Sequence, residues 1–248
     1  MSEPRSTLIH LDEGLAVFAK PPGLSLATRP SEPGAAVARL AASLSPSDRA
    51  RLGNGELHLV HRLDVGTSGL VSVARDSEVH RELVRAFTER RVEKTYLALV
   101  WGRPKPGQGE WSQPLGPDRK DRRRMKVDPD GRPSRSRYAI LESGHGVTLL
   151  ELKALTGRTH QLRVHAAHAG HPIVGDDFYG GPRHHGVRDR ALRKVLAPSH
   201  TLLHAWRLTV PWQGAARAFE AGLPPQFEAA LAACGWRLTP AEAGPPVA

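Results

Sequence analysis

The sequence contains one cysteine, Cys234, among 248 residues. A single thiol excludes a disulfide scaffold and any zinc or iron–sulfur site built from several cysteines, and it is typical of a reducing cytosol. The chain also lacks an uninterrupted apolar stretch near the roughly 18 residues that span a bilayer. Its first twenty residues include Glu3, Asp12 and Glu13, which do not fit a signal peptide. We therefore expect a cytoplasmic protein without a targeting or membrane-spanning segment.

The local motifs of several large enzyme classes are missing as well. The sequence has no Gly-x-x-x-x-Gly-Lys-Ser/Thr loop, no Gly-x-Gly-x-x-Gly after a strand and no Gly-x-Ser-x-Gly. Nucleotide-driven, dinucleotide-dependent and α/β-hydrolase chemistries therefore lack their usual signs.

Acidic residues are the scarcer charged class, with 25 Asp and Glu against 35 Lys and Arg and a net charge of +10. The basic set contains 28 Arg and 7 Lys, a choice that suits forked contacts with phosphates. Such an excess favours an anionic partner such as a nucleic acid. One stretch concentrates the charge, and we predict that it is a loop that contacts a nucleic acid; a solvated, mobile loop is the alternative. Its basic residues are Arg119, Lys120, Arg122, Arg123, Arg124 and Lys126.

Apolar periodicity predicts short strands interleaved with a few helices, which favours an α+β fold with a mixed sheet. We expect one catalytic domain over residues 1–248, with a frayed tail at residues 239–248. The predicted helices include one that Asp76 caps and one that Thr159 caps, the second ending near His168. The predicted strands are Thr7–Leu11, Leu15–Ala19, Leu57–Val60, Leu70–Ala74, Tyr96–Trp101, Tyr138–Leu141, Val147–Leu152 and Leu202–Val210.

The loop His61–Leu70 is the first candidate site, because it is polar, contains glycine and lies between two apolar strand segments. Such a loop can hold the carboxylate of Asp64 at the rim of a sheet. The alternative is a turn in which Asp64, Thr67 and Ser68 accept hydrogen bonds from neighbouring backbone N–H groups.

The second candidate site is the segment Thr156–His165, at the start of a predicted helix. Exposed N–H groups together with Arg158 and Arg163 suit an anion or a buried carboxylate. A capped helix with solvated arginines is the alternative.

Histidines in the same region raise the question of a metal. His165 and His168 have the i, i+3 spacing that can share one ion. No His-Glu-x-x-His pattern is present, however, and the third ligand has no clear candidate. We expect no metal site, and a metal-dependent hydrolase is the less favoured alternative.

Five segments, in order, resemble motifs of the RluA-type pseudouridine synthases, which isomerise particular uridines in ribosomal or transfer RNA. The likeness extends from about residue 8 to residue 211. Its segments are Lys20–Gly23, His61–Leu70, Lys94–Val100, Gly157–Asp176 and Leu203–Ala205.

The resemblance implies a mainly antiparallel sheet with flanking helices and a central catalytic cleft. It implies that Asp64 is the catalytic residue, acting as a nucleophile on the ribose or as a base, and that Arg163 pairs with it. Tyr96 would stack on the target uracil, and Arg62 would help to extrude the uridine. No redox step occurs, so no cofactor is expected.

The resemblance also implies a partner, structured ribosomal or transfer RNA, and we expect a monomer. Because the early motif already occurs at Lys20, we expect no separate N-terminal RNA-binding module of the kind that many relatives have. The main alternative on the same fold is a non-catalytic RNA-binding or ribosome-assembly protein.

Overall fold

The computed structural model describes residues 5–28, 31, 32 and 34–238, so the predicted frayed tail at residues 239–248 lies outside the described residues. The helices are α1 (Ala35–Ala42), α2 (Pro46–Leu52), α3 (Ser77–Thr88), α4 (Gln161–His168), α5 (Arg190–Val195) and α6 (Pro225–Ala233). The strands are β1 (Thr7–Leu11), β2 (Leu15–Lys20), β3 (His58–Leu59), β4 (Ser68–Ala74), β5 (Glu93–Trp101), β6 (Gln108–Trp111), β7 (Leu115–Pro117), β8 (Met125–Val127), β9 (Ser136–Gly144), β10 (Val147–Ala154), β11 (Leu203–Trp212) and β12 (Ala215–Glu220).

Ten strands form one sheet in the order β1-β2-β4-β11-β5-β10-β9-β6, with β3 paired to β4 and β12 paired to β11. Every pairing in it is antiparallel except that of β4 with β11. Strands β7 and β8 form a separate hairpin. The prediction of an α+β fold with a mixed, mainly antiparallel sheet and flanking helices is confirmed.

Helices cover both faces of the central strands, which explains why these strands are apolar at successive positions. On β5, Leu97 and Leu99 pack in one core cluster with Phe227 of α6. Ala98, on the opposite face, packs in another cluster with Leu162 of α4. Among the described helices the longest, α3, has 12 residues, and none has the length and apolar character of a membrane span.

The parallel pairing of β4 with β11 fixes the loop that precedes β4. Gly69 has a φ of +109°, and a Cβ atom there would lie 2.2 Å from the carbonyl oxygen of Ala205, so only glycine fits. Next to it, the Ser68 hydroxyl and His204 Nδ1 are hydrogen-bonded at 2.9 Å inside the sheet. The end of the loop is therefore tied to the middle of the molecule.

Local predictions were wrong in two places. Thr159 does not cap α4; His160 occupies the cap position in a left-handed conformation, and the Gln161 side chain accepts a hydrogen bond from the Arg158 N–H instead. The basic stretch is not simply a loop, because Met125 and Lys126 pair with β7 and make the stretch the tip of a hairpin. The segments α2, β6, β7, β8 and β12 were not predicted, since they are short or largely exposed.

Candidate active site

A cavity of about 1060 Å³ opens at the centre of the sheet, between the loop that precedes β4, the first half of β5 and the start of α4. Asp64, Arg62, Tyr96 and Arg163 all line it. The fold therefore brings together four candidate residues that are spread over about a hundred positions of the chain. The cavity is also lined by an excess of cationic side chains, namely Arg62, Arg90, Lys94, Arg137, Lys153, Arg158 and Arg163.

Hydrogen bonds from Gly23 and Lys20 fix the loop that carries Asp64. The Val65 carbonyl accepts hydrogen bonds from the Gly23 N–H at 2.8 Å and from Lys20 Nζ at 3.3 Å. The side chain of Asp64 is 25% exposed and faces Arg163, to which its Oδ2 is bonded at 3.2 Å. The backbone carbonyl of Asp64 accepts a turn hydrogen bond from the Thr67 N–H, whereas its carboxylate binds a distant arginine and not the neighbouring N–H groups.

Arg163 lies between two carboxylates. Its Nε and Nη2 donate to Asp176 at 2.7 and 2.8 Å, and its Nη1 donates to Asp64. Burial lowers the pKa of Arg163, but Asp176 and Asp64 outweigh it, so that its pKa is raised above the ordinary value. One edge of the Arg163 guanidinium therefore binds Asp176, and the remaining nitrogen, Nη1, binds Asp64.

The other two predicted site residues are Tyr96 and Arg62, whose side chains form no hydrogen bond with Asp64 or Arg163 among the described residues. Burial, together with the negative charge of Asp64, raises the pKa of Tyr96, so the phenol stays protonated at neutral pH. Arg62 is exposed and forms no ion pair or hydrogen bond with the described residues. Its side chain can therefore move, as contact with a substrate would require.

Three polar residues beside Asp64 and Arg163 were not predicted to lie together at the site, namely His160, Asp176 and Tyr179. His160 Nε2 lies 3.9 Å from Asp64 Oδ1, and His160 Nδ1 lies 2.7 Å from the Tyr179 hydroxyl. Tyr179 accepts a hydrogen bond from the Met125 N–H of β8 at 2.9 Å. Asp176 ends the motif-like segment Gly157–Asp176, but no pattern marks Tyr179, which the turns after α4 bring back to the site.

Lys20 lies beneath the loop of Asp64 and is only 2% exposed. Its ammonium group donates to the carbonyls of Pro21, Leu24 and Val65. Burial lowers the pKa of Lys20 to about 7, against an opposing effect of Asp64. The lysine of the early motif thus supports the loop from inside the fold.

The burial of Lys20 predicts that the stability of the fold depends on pH. Since the pKa of Lys20 falls from 10.5 to about 7 on folding, the unfolded chain binds more protons between these values. The free energy of unfolding should therefore rise with pH from 7 to 9, by up to about 1.4 kcal/mol per unit from this group. Denaturant titrations of wild type and Lys20→Met measure it, the variant lacking this part of the slope. Parallel curves for the two proteins would contradict the assignment.

The basic hairpin, residues 115–127, stands beside the cavity. Arg119, Lys120, Arg122, Arg123 and Lys126 are exposed, whereas Arg124 is half-buried. The Arg124 guanidinium lies 5.3 Å from the centre of the Tyr179 ring, and that of Arg123 lies 5.6 Å from the Phe178 ring. The hairpin therefore presents cations to solvent and also packs against the segment that touches His160.

Of the two histidines considered for a metal, His165 has other partners. His165 is fully buried, with Nδ1 bonded to the Ser136 hydroxyl at 2.9 Å and Nε2 to the Gln113 carbonyl at 3.0 Å. Both ring nitrogens are thus used within the core. No group of three or more potential metal ligands occurs in the part of the chain that the structure describes.

A solved structure shares this architecture. Human RNA Pseudouridylate Synthase Domain Containing 4 superposes with a TM-score of 0.72, covering 91% of both chains at 25% identity. The fold is that of the pseudouridine synthases, a class of isomerases. The family model described as RNA pseudouridylate synthase matches residues 14–168, and the chain belongs to that family.

Curated relatives assign it to the RluA type. The Dual-specificity RNA pseudouridine synthase RluA of Escherichia coli is 37% identical over 224 residues, covering 88% of this chain and 94% of the relative. An RNA pseudouridine synthase of Chloroflexus aurantiacus is 45% identical over 181 residues, which cover 71% of this chain and 54% of the relative. The chain is therefore an RluA-type isomerase, and its length matches the first relative more fully than the second.

Proposed function

We propose that the chain converts uridine to pseudouridine in ribosomal RNA, in transfer RNA or in both, with Asp64 as the catalytic residue. The observation that carries this proposal is the bond of Asp64 to Arg163 in a cavity that also contains Tyr96. Arg163 donates a hydrogen bond to Oδ2 of Asp64 and so orients the carboxylate, whose task is attack on the ribose or removal of a sugar proton. Tyr96, which is partly buried and lines the cavity, supplies an aromatic face for the uracil.

The charges of the cavity support RNA as the partner. Seven Lys and Arg side chains line it, against two carboxylates, Asp64 and Glu93. A cationic cleft with an aromatic ring suits an RNA segment whose base is turned out of its stack, at a cost of a few kcal/mol. Arg62, which is exposed and unpaired among the described residues, is proposed to contact the extruded nucleotide.

We also propose that the protein acts in the cytoplasm as a monomer.

The exposed end of the basic hairpin is proposed to hold the RNA backbone outside the cavity. Replacing Arg119 and Arg122 with Glu should weaken RNA binding and lower the salt slope of log affinity by about 0.7–0.9 for each phosphate that is no longer neutralised. Titrations at several salt concentrations measure both. These two residues are preferable to Arg123 and Arg124, whose side chains pack against aromatic rings at the site.

The control for the hairpin variant reverses two exposed charges elsewhere, Arg51 on α2 and Arg217 on β12. If both double variants lose equal affinity, net charge alone accounts for the effect, and the hairpin is not a specific contact.

Tritium release tests the function itself. The wild-type protein should release tritium from RNA that contains 5-tritiated uridine, because bonding through carbon 5 expels the hydrogen there. Separate assays with transfer RNA and ribosomal RNA distinguish the two substrates. No release from either RNA would exclude both.

A further inference from the structure

His160 is held in an unusual backbone conformation at the edge of the cavity. Its φ of 55° and ψ of 17° lie in the left-handed region, which is uncommon for residues other than glycine and concentrates at functional sites. This conformation turns Nε2 toward Asp64 Oδ1, at 3.9 Å, and Nδ1 toward the Tyr179 hydroxyl, at 2.7 Å. The distance to Asp64 exceeds a hydrogen bond, and catalytic contacts are often long without substrate.

The neighbours of the ring select one tautomer. The Tyr179 oxygen already accepts a hydrogen bond from the Met125 N–H, so its own hydrogen is left to donate to His160 Nδ1. An Nδ1 that accepts leaves the ring proton on Nε2. A carboxylate oxygen such as Asp64 Oδ1 accepts hydrogen bonds, so a contact between it and Nε2 suits the same tautomer. Both sides of the imidazole therefore favour a hydrogen on Nε2.

The selection matters for the neutral imidazole, which is the form that burial favours. Burial lowers the pKa of His160, Asp64 and Asp176 oppose this effect, and Arg163 and Arg62 reinforce it. A neutral imidazole carries one N–H hydrogen. The nitrogen that holds this hydrogen decides whether His160 presents a donor or a lone pair to Asp64. The other oxygen of Asp64 already has its donor in Arg163.

We propose that Tyr179 is a positioning residue for the reaction, which sets the tautomer of His160 so that Nε2–H donates to Asp64 and orients its carboxylate. Asp64 is then held at both oxygens, by Arg163 and by His160. The same hydroxyl connects β8 of the basic hairpin to His160 through two hydrogen bonds. This inference rests on the proposed function of Asp64.

A double-mutant cycle tests the proposal by tritium release. Tyr179→Phe removes only the hydroxyl and should lower kcat by about 10–100-fold, as supporting residues do, with KM for RNA unchanged within about threefold. His160→Gln supplies an amide donor whose hydrogens do not depend on Tyr179. In the His160→Gln background, Tyr179→Phe should therefore change kcat by less than about threefold.

The contrary outcomes are distinct. If the losses from the two substitutions multiply, or if Tyr179→Phe raises KM and leaves kcat intact, Tyr179 does not act through His160. Tyr138→Phe is the matched control, since it removes a hydroxyl that bonds the Pro106 carbonyl and should leave activity unchanged. An inactive wild type would overturn the proposed function as well, whereas an active wild type with multiplying losses would overturn this inference alone.

Discussion

Replacing Asp64 with Asn should reduce tritium release from uridine-labelled RNA on the order of 10³-fold or more, with little change in RNA affinity. The amide retains the size of the carboxylate but supplies neither a nucleophilic oxygen nor a base, and it cannot form the ion pair with Arg163. Binding should persist because the cations that line the cavity and the hairpin remain. Single-turnover assays and equilibrium binding with one RNA measure the two effects separately.

Glu93→Gln is the control for this variant, because it removes a negative charge from the same cavity without touching Arg163. It should keep its rate within a few-fold. An Asp64→Asn protein as active as wild type would exclude Asp64 as the catalytic residue. A wild type that binds RNA as tightly as the variant but releases no tritium would support the non-catalytic RNA-binding alternative.

Replacing Asp176 with Asn should destabilise the fold and also impair the reaction. Asp176 is 2% exposed and accepts two hydrogen bonds from Arg163. Removal of one partner of a buried ion pair costs about 3–5 kcal/mol where the remaining charge is left uncompensated, and this is an upper value here because Asp64 still pairs with Arg163. For a chain of this size each kcal/mol lowers Tm by about 2–4 °C. Catalysis should fall because Arg163 is no longer held toward Asp64.

The neighbouring carboxylate is a close control, since Asp177 is exposed and Asp176 is not. Asp177→Asn should leave Tm within about 1–2 °C of wild type, as surface substitutions usually do. Thermal melts of the two variants make the comparison. An Asp176→Asn protein as stable as the Asp177→Asn protein would show that the pair with Arg163 contributes little to the fold.

Much of the fold could be predicted from the sequence, because its central strands are apolar and are bounded by turn residues. The end of α4 at His168 and the cap of α3 by Asp76 also follow from local rules. The β7–β8 hairpin could not be predicted, since each strand has three residues in a polar, charged stretch. The exposed strand β12 likewise lacks the apolar alternation that identifies a strand.

The candidate site also has a part that could be predicted from the sequence and a part that could not. The sequence pattern and the family resemblance single out Asp64, Arg163, Tyr96 and Arg62, and the structure brings them to one cavity. Asp176 lies in a segment that the resemblance includes, but its pairing with Arg163 was not predicted, because it lies 13 residues further along and beyond the end of α4. The position of His160 beside Asp64 could not be predicted either, since it depends on a left-handed backbone, which spacing does not reveal.

The most direct test of the central claim is a map of pseudouridine across ribosomal and transfer RNA from cells that lack this protein. The same cells should be supplied with wild type or with Asp64→Asn. Our account predicts that at least one position loses pseudouridine, that wild type restores it and that the variant does not. Identical maps in all strains, or restoration by Asp64→Asn, would contradict the account.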